Sequence, residues 1–589
     1  MLNCWKEEIG RIPGKKSDEM GGIDPKNQSS IGNYSRKRSI YVSSASGAED
    51  LLQKANILQL SHVGLNMIFS FDSHILAGNV IVSDVQTIRP CLLAVTLVEH
   101  SKSGGKTDRF HNYVINLRVK SLHRVVRRFF RLPVCFVGYD FKQILFCLWQ
   151  LNITEPETIW DVLIHEKVIQ LGLYHRPAKS NIHNDDIFSQ IKEKEDRKQL
   201  EQFQIGWQCI CQRYGVSYRN NGNSKLIQDS IFNHPRQKPY TAKQLNYVAA
   251  GAIAAARTYP HQISTASQSG ILHHLITIEM PFITTVAKME WTGVGFDQER
   301  YDIITDTYRT SIKKLKKKIA KHGIGNPLSH QALQRFFKSA GIINRFALRG
   351  KYSFEKGQLK RNLDAHPIVR ELLNYRQLSN LLRSASKLED FVAFDDRIHA
   401  QYHSVGAVSG RLTTHNPNIV GLDSRLRHLI TPEPGNGIGE ADWCQFEVGI
   451  AAVVYGDEKL LNMFNNGDVY TLMAKEFFKD KISKSDRKLS DRKFKQRYPN
   501  LRKKMKTCVL GVIYGMTSSA MSELLKCSRM EAQQLYRKFL QMFPSLSKAR
   551  EETHINNKRR GCATTTTGLK RYRSKINSRH VGKEKWLIN

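Results

Sequence analysis

Arg502-Lys503-Lys504-Met505-Lys506-Thr507-Cys508-Val509-Leu510-Gly511-Val512-Ile513-Tyr514-Gly515 carries a four-residue rhythm. On a helix, a step of four turns roughly 400°, so Arg502, Lys506, Leu510 and Tyr514 drift only about 40° per step and share one side. That side presents two cations, then an apolar residue, then an aromatic hydroxyl. Two fixed cations suit a triphosphate, and a flat apolar end suits a base. An amphipathic helix with a solvated basic rim has the same spacing, so the rhythm leaves both readings open.

Composition narrows the partners. The chain has 589 residues, with 90 Lys+Arg against 53 Asp+Glu, a net charge of +37. Such length implies several domains with large cores. Such an excess implies a polyanionic partner, because neutralised phosphates release counterions. An anionic membrane surface is the competitor, but no long apolar run or basic amphipathic anchor stands out, so nucleic acid is preferred. The ten cysteines are scattered, and only Cys209 and Cys211 lie close together. They lack zinc spacing, and reduced thiols in a cytoplasm-like compartment are expected. The N-terminus, with Trp5, Lys6, Glu7 and Glu8, has no apolar signal core.

The run R-x3-K…G-x2-Y-G resembles the fingers nucleotide-binding helix of family A DNA polymerases, with Leu510 in place of the usual aromatic. Three further stretches agree. Ser409-Gly410-Arg411-Leu412-Thr413-Thr414-His415-Asn416-Pro417-Asn418 resembles the family motif that touches the primer–template minor groove. There an Arg checks pair geometry without reading sequence, since minor-groove acceptors are nearly alike. The resemblance assigns DNA contact to Arg411, Thr413, Thr414, Asn416 and Asn418. Val420-Gly421 departs from the usual Gln-Asn. Ile438 to Glu447 resembles the palm's first catalytic motif, D-Y-S-Q-I-E. It implies Asp442 at the end of a buried strand, ligating Mg²⁺ together with Trp443, and Gln445 and Glu447 beside the nucleotide. Asp468-Val469-Tyr470 resembles D-I-H, with Tyr470 at the triphosphate-contacting position.

The resemblance implies a mixed α/β and α+β fold in six parts. A flexible basic leader is expected over 1–55 and an RNase H-like, degenerate 3′–5′ exonuclease domain over 56–265. A thumb over 266–395 carries Lys313, Lys314, Lys316, Lys317 and Lys318. The first part of the palm follows over 396–455, helical fingers over 456–560, and the start of the returning palm over 561–589. The exonuclease carboxylates are largely missing: Asp72-Ser73-His74 or Asp84-Val85-Gln86 stands at the first motif, Ile144 at the second after Asp140, and Gly251 at the third. One carboxylate cannot hold two divalent ions, so no proofreading is expected. Between 185 and 245 the chain reads as a charged helix and a polar loop, with no chemistry assigned.

The family's second catalytic Asp sits in a late H-D-E turn. Here the last Asp is Asp491, ahead of the fingers helix. Arg560 to Arg571 resembles the hairpin that follows the fingers, and Lys585-Trp586-Leu587-Ile588-Asn589 resembles the R-A-A-I-N before the missing part. The expectation is the N-terminal part of a split or interrupted polymerase. It would act on primer–template DNA and deoxynucleoside triphosphates with two Mg²⁺ ions and a separate C-terminal fragment. The alternative is a non-catalytic DNA-binding remnant. A single-subunit RNA polymerase shares R-x3-K and Y-G, but the 409–418 motif and Glu447 argue for DNA.

Overall fold

The structure, a computed structural model, describes residues 39–58, 60–72, 74–77, 80–99, 109–173, 205–218, 224–235, 238–348, 350–407, 409–525 and 527–572. Most of the expected leader, the charged stretch up to residue 204 and the Lys585–Asn589 match lie outside these residues. The chain divides into two compact units, one built mainly from residues up to Ile438 and the other mainly from Gly439 onward.

The first unit is centred on a six-stranded sheet. Its strands are β1 (Ile40–Val42), β2 (Leu60–Phe71), β3 (Ile88–Glu99), β4 (Arg109–Asn116), β5 (Cys135–Gly138) and β6 (Ile159–Asp161). The order is β1-β4-β3-β2-β5-β6. β2, β3 and β4 pair antiparallel with one another, whereas β1 lies parallel to β4, and β5 and β6 extend the sheet in parallel from β2. Runs such as Leu92, Leu93, Ala94 and Val95 are wholly buried, as befits strands covered on both faces.

The expected leader is corrected at its end. β1 joins the sheet beside β4, and helix α1 (Ala45–Ile57) follows, capped by Ser44. Ala48, Leu51, Leu52 and Ala55 recur at helical spacing and are buried, which gives this segment a reason to fold. α2 (Phe141–Gln150) follows β5, and α3 (Ala242–Gln268) lies across the sheet through Val248, Ala249 and Ala252. The approach is close: a Cβ at Gly64 would sit 2.2 Å from the Ala252 carbonyl oxygen.

α4 (Met280–Thr292), α5 (Gln298–Ala320) and α6 (Pro367–Glu389) complete the framework of this unit. Tyr301 of α5 packs in one cluster with Leu381, Ala385 and Leu388 of α6. The five lysines at 313–318 are exposed. A small hairpin of β7 (Gln401–His403) and β8 (Thr413–His415) carries the 409–418 motif.

The second unit is mainly helical. It contains α7 (Phe446–Val454), α8 (Glu458–Asn466), α9 (Val469–Phe477), α10 (Asp491–Arg497) and α11 (Pro499–Ile513), then α12 (Ser518–Leu525), α13 (Arg529–Met542) and α14 (Pro544–Arg560). The hairpin β9 (Cys562–Thr564) and β10 (Lys570–Tyr572) follows. Val448, Leu460, Met473, Phe494, Met505, Val509 and Phe539 form its core. Among the described residues, no helix is long and apolar enough to cross a membrane.

Candidate nucleotide and DNA sites

α11 forms where the rhythm predicts. Met505, Cys508, Val509 and Val512 are its buried stripe, the i, i+3, i+4, i+7 spacing of an amphipathic helix. Arg502 and Lys506 lie on another side and line a pocket of about 500 Å³ with Asp442, Trp443, Cys444, Gln445, Asp468, Tyr470, Asp491, Arg492 and Lys495. Six residues singled out in the sequence, Asp442, Trp443, Gln445, Tyr470, Arg502 and Lys506, thus meet around one space.

Their environments differ. Tyr470 is buried, and the Arg502 guanidinium and Lys506 ammonium lie 5.4 and 5.8 Å from its ring centre, within cation–π range. Burial pushes the Tyr470 hydroxyl's pKa up, as do the charges of Glu447 and Asp468, while Arg502 opposes them. Arg502 is itself held: it forks onto Asp468, with Nη2 2.9 Å from Oδ1 and Nε on Oδ2. Burial pushes the Asp468 carboxyl up, but hydrogen bonds from Arg502 and Thr471 and the Arg502 charge bring it below the ordinary value. Asp491 accepts the Asp468 amide hydrogen at 2.7 Å.

Gln445 works as a brace. Its side-chain oxygen accepts the Val469 N–H at 2.7 Å, and its Nε2 donates to the Gly467 carbonyl at 3.3 Å. It sits in the left-handed region at φ 55°, which a non-glycine residue holds only where its surroundings fix it. Those two bonds tie the start of α7 to the start of α9.

Two expectations are corrected. Asp442 does not end a buried strand. Residues 439–443 form no regular element and are exposed, with Trp443 79% exposed. A strand exists only through pairing, and no described segment pairs with this run. Leu510 and Tyr514 also stand off the pocket: Leu510 is half-buried against the helical core, and Tyr514, which ends α11, is exposed. The drift of the four-residue rhythm carries them past the wall that Arg502 and Lys506 occupy. Sequence reasoning missed Arg492 and Lys495, whose signal is their i, i+3 spacing on a short basic helix.

The chemistry fits a metal ion only in part. Among the described residues, no three His, Cys, Asp or Glu side chains cluster to hold one. Asp468 and Asp491 are engaged as above, which leaves Asp442 as the exposed carboxylate. These residues do not fit a two-ion centre. A single Mg²⁺ arriving on a triphosphate needs only one or two carboxylates, and Asp442 suits that.

In the first unit, Arg411 is exposed on the connection between β7 and β8. Thr414 is buried and donates to Asn418 at 3.1 Å, and its hydroxyl accepts the Val420 N–H. Asn416 donates to Gln401 at 3.1 Å. Thr413 is half-buried. Arg411 is therefore the exposed side chain of this motif, and Thr414, Asn416 and Asn418 set the loop's shape.

The exonuclease-like positions are also placed. The Asn66 side chain lies against Gly251, where a Cβ would be 2.4 Å from Asn66 Nδ2. The group opposite Gly251 is thus an amide on β2, not Asp72, which pairs with Arg89, nor Asp84, which caps the turn at Gln86. Asp161 accepts the Asp140 and Phe141 N–H groups.

The DNA polymerase family A model matches residues 298–586. DNA polymerase I of Treponema pallidum is 27% identical over 355 residues, 57% of this chain and 34% of that protein. The thermostable DNA polymerase I of Thermus aquaticus is 28% identical over 310 residues, 50% of this chain and 36% of that protein. The matched stretch spans only about a third of these relatives' length. The polymerase domain of Pol1 from M. smegmatis, solved with DNA primer-template and dNTP, superposes with a TM-score of 0.68 at 16% identity. It covers 93% of this chain and 84% of that one, a likeness of fold.

Proposed function

Through residues 298–586 this chain belongs to DNA polymerase family A, and from that premise we propose that it works in template-directed DNA synthesis. The observation that carries the reading is the pocket itself, where Asp442, Tyr470, Arg502 and Lys506 meet. The primer 3′-oxygen forms a bond to the α-phosphorus, the α–β bridging bond breaks, and pyrophosphate leaves. Arg502 and Lys506 orient the triphosphate and stabilise its charge. Glu447 stands near the sugar, and the family motif assigns Leu510 and Tyr514 to the sugar and base. Asp442 and the Trp443 carbonyl would hold Mg²⁺, which when bound supplies charge neutralisation. Arg411 touches the minor groove, and the exposed lysines of α5 grip phosphates.

A complete site needs a second carboxylate, carried on a further palm segment that is either continuous with this sequence or separate. The exposed apolar side chains Trp443, Phe446, Ile450, Val453 and Val454 support this reading, since such a patch marks a surface that another segment covers. The six-stranded sheet is read as an RNase H-like exonuclease remnant without proofreading, because Asn66 and Gly251 supply no carboxylate. Primer extension with Mg²⁺, with and without a supplied palm segment, tests the proposal. Rescue by the segment is expected. Tight primer–template binding without extension in either tube replaces the proposal with a non-catalytic DNA-binding role.

A further inference from the structure

The pocket contains more positive charge than the expected triphosphate pair. α10 begins after Ser490, and its Phe494 is fully buried beside Tyr498, with ring centres 5.1 Å apart. That anchor fixes the helix's rotation. Arg492 and Lys495, three apart and so neighbours on one side, both line the pocket and are exposed. Neither engages another described residue in an ion pair. Arg502, by contrast, is already forked onto Asp468.

We propose that Arg492 and Lys495 form a second phosphate-binding arm, which takes the outer end of the triphosphate and the leaving pyrophosphate. The inference rests on the pocket being the nucleotide site. Two cations on α10 and two on α11 then face one polyanion from two helices. The α10 pair brings charge that no carboxylate among the described residues neutralises. Charge-assisted contacts of this kind are among the stronger hydrogen bonds.

The test measures binding of inorganic tripolyphosphate to the 589-residue chain, by competition with a fluorescent deoxynucleoside triphosphate. Duplex primer–template binding is measured in parallel. The variants are R492A/K495A, the charge-keeping R492K/K495R, K506A, and K225A/K243A as a surface control. About tenfold weaker tripolyphosphate binding is expected for R492A/K495A. R492K/K495R should recover most of it, and DNA binding should change by less than about twofold. If K506A weakens binding and R492A/K495A does not, the arm is overturned while the nucleotide site stands. If R492A/K495A weakens DNA binding as much as tripolyphosphate binding, the pair belongs to the DNA backbone and the arm is overturned. If R492A/K495A weakens binding and K506A does not, the arm stands and the α11 reading falls. No binding by the unaltered chain overturns both.

Discussion

Replacing Lys142 with Met should loosen the first unit in a pH-dependent way. Lys142 Nζ lies 2.6 Å from Glu290 Oε2 and donates to the Tyr402 carbonyl at 3.0 Å, and the Tyr402 N–H donates to the same Glu290 oxygen at 3.1 Å. The two charged side chains are only 12% and 3% exposed. This closed ring joins α2, α4 and β7. Without Lys142, Glu290 keeps one backbone donor in a dry site, and stranding a buried charge costs about 3–5 kcal/mol. Protonation limits that cost. Burial already raises the Glu290 carboxyl above its ordinary 4.5, while Lys142 and the hydrogen bonds pull it part of the way back.

Losing Lys142 raises that carboxyl further. A carboxyl with a raised folded pKa favours the folded state below its unfolded value and loses that stability as pH rises through the folded one. The gap between the original chain and K142M should therefore be largest at about pH 8 and shrink toward pH 4.5. At pH 8 a loss of about 3 kcal/mol lowers Tm by roughly 3–5 °C in a cooperative unit of this size. Trp149 on α2 and Trp291 on α4, with ring centres 5.7 Å apart, report the melt by fluorescence. K142M/E290Q should melt above K142M. Midpoints within about 1 °C at pH 8, or a gap that widens in acid, would refute the reasoning.

D468N should release Arg502 and change the acid behaviour of the second unit. Asp468 is held below its ordinary 3.8, so its stabilisation is present above that value and lost as pH falls through the folded one; melting curves between neutral and acid pH should fall less steeply in D468N. D442N should reduce primer extension by the reconstituted enzyme about a hundredfold or more while leaving DNA binding unchanged, as gel shift would show. G251D alone should cost about 1–3 kcal/mol in urea titrations, because its Cβ meets Asn66 at 2.4 Å, and pairing it with N66A should recover part of the loss. L510Y in the reconstituted enzyme should shift the ratio of dideoxy to deoxy incorporation about tenfold, equivalent to ~1.4 kcal/mol. An unchanged ratio would detach Leu510 from the sugar.

Periodicity made α11 legible. Its buried stripe and its two pocket cations both follow from a 3.6-residue repeat, and Asp468 and Tyr470 were readable from a short motif. Pairing was less legible. Asp442 was expected on a strand because its motif favours one, but a strand depends on a partner that local sequence does not name. Gln445 was read as a nucleotide contact, yet its side chain bonds Gly467 and Val469, residues over 20 positions away. Asn66 escaped notice for the same reason, since only the crossing of α3 over β2 brings it to Gly251. Arg492 and Lys495 were hidden by abundance in a chain with 90 basic residues.

The open apolar face around α7 has a consequence for how this protein behaves in a tube. Five large apolar side chains from Trp443 to Val454 meet water, while a net charge of +37 drives like molecules apart. At low ionic strength repulsion reaches tens of ångströms and keeps solutions clear. At about 1 M salt it shrinks to roughly 3 Å, and nothing then opposes contact between the wet faces. Light scattering should therefore show particles growing as salt is raised, the reverse of a protein clumped by residual nucleic acid. A covering palm segment should abolish the growth.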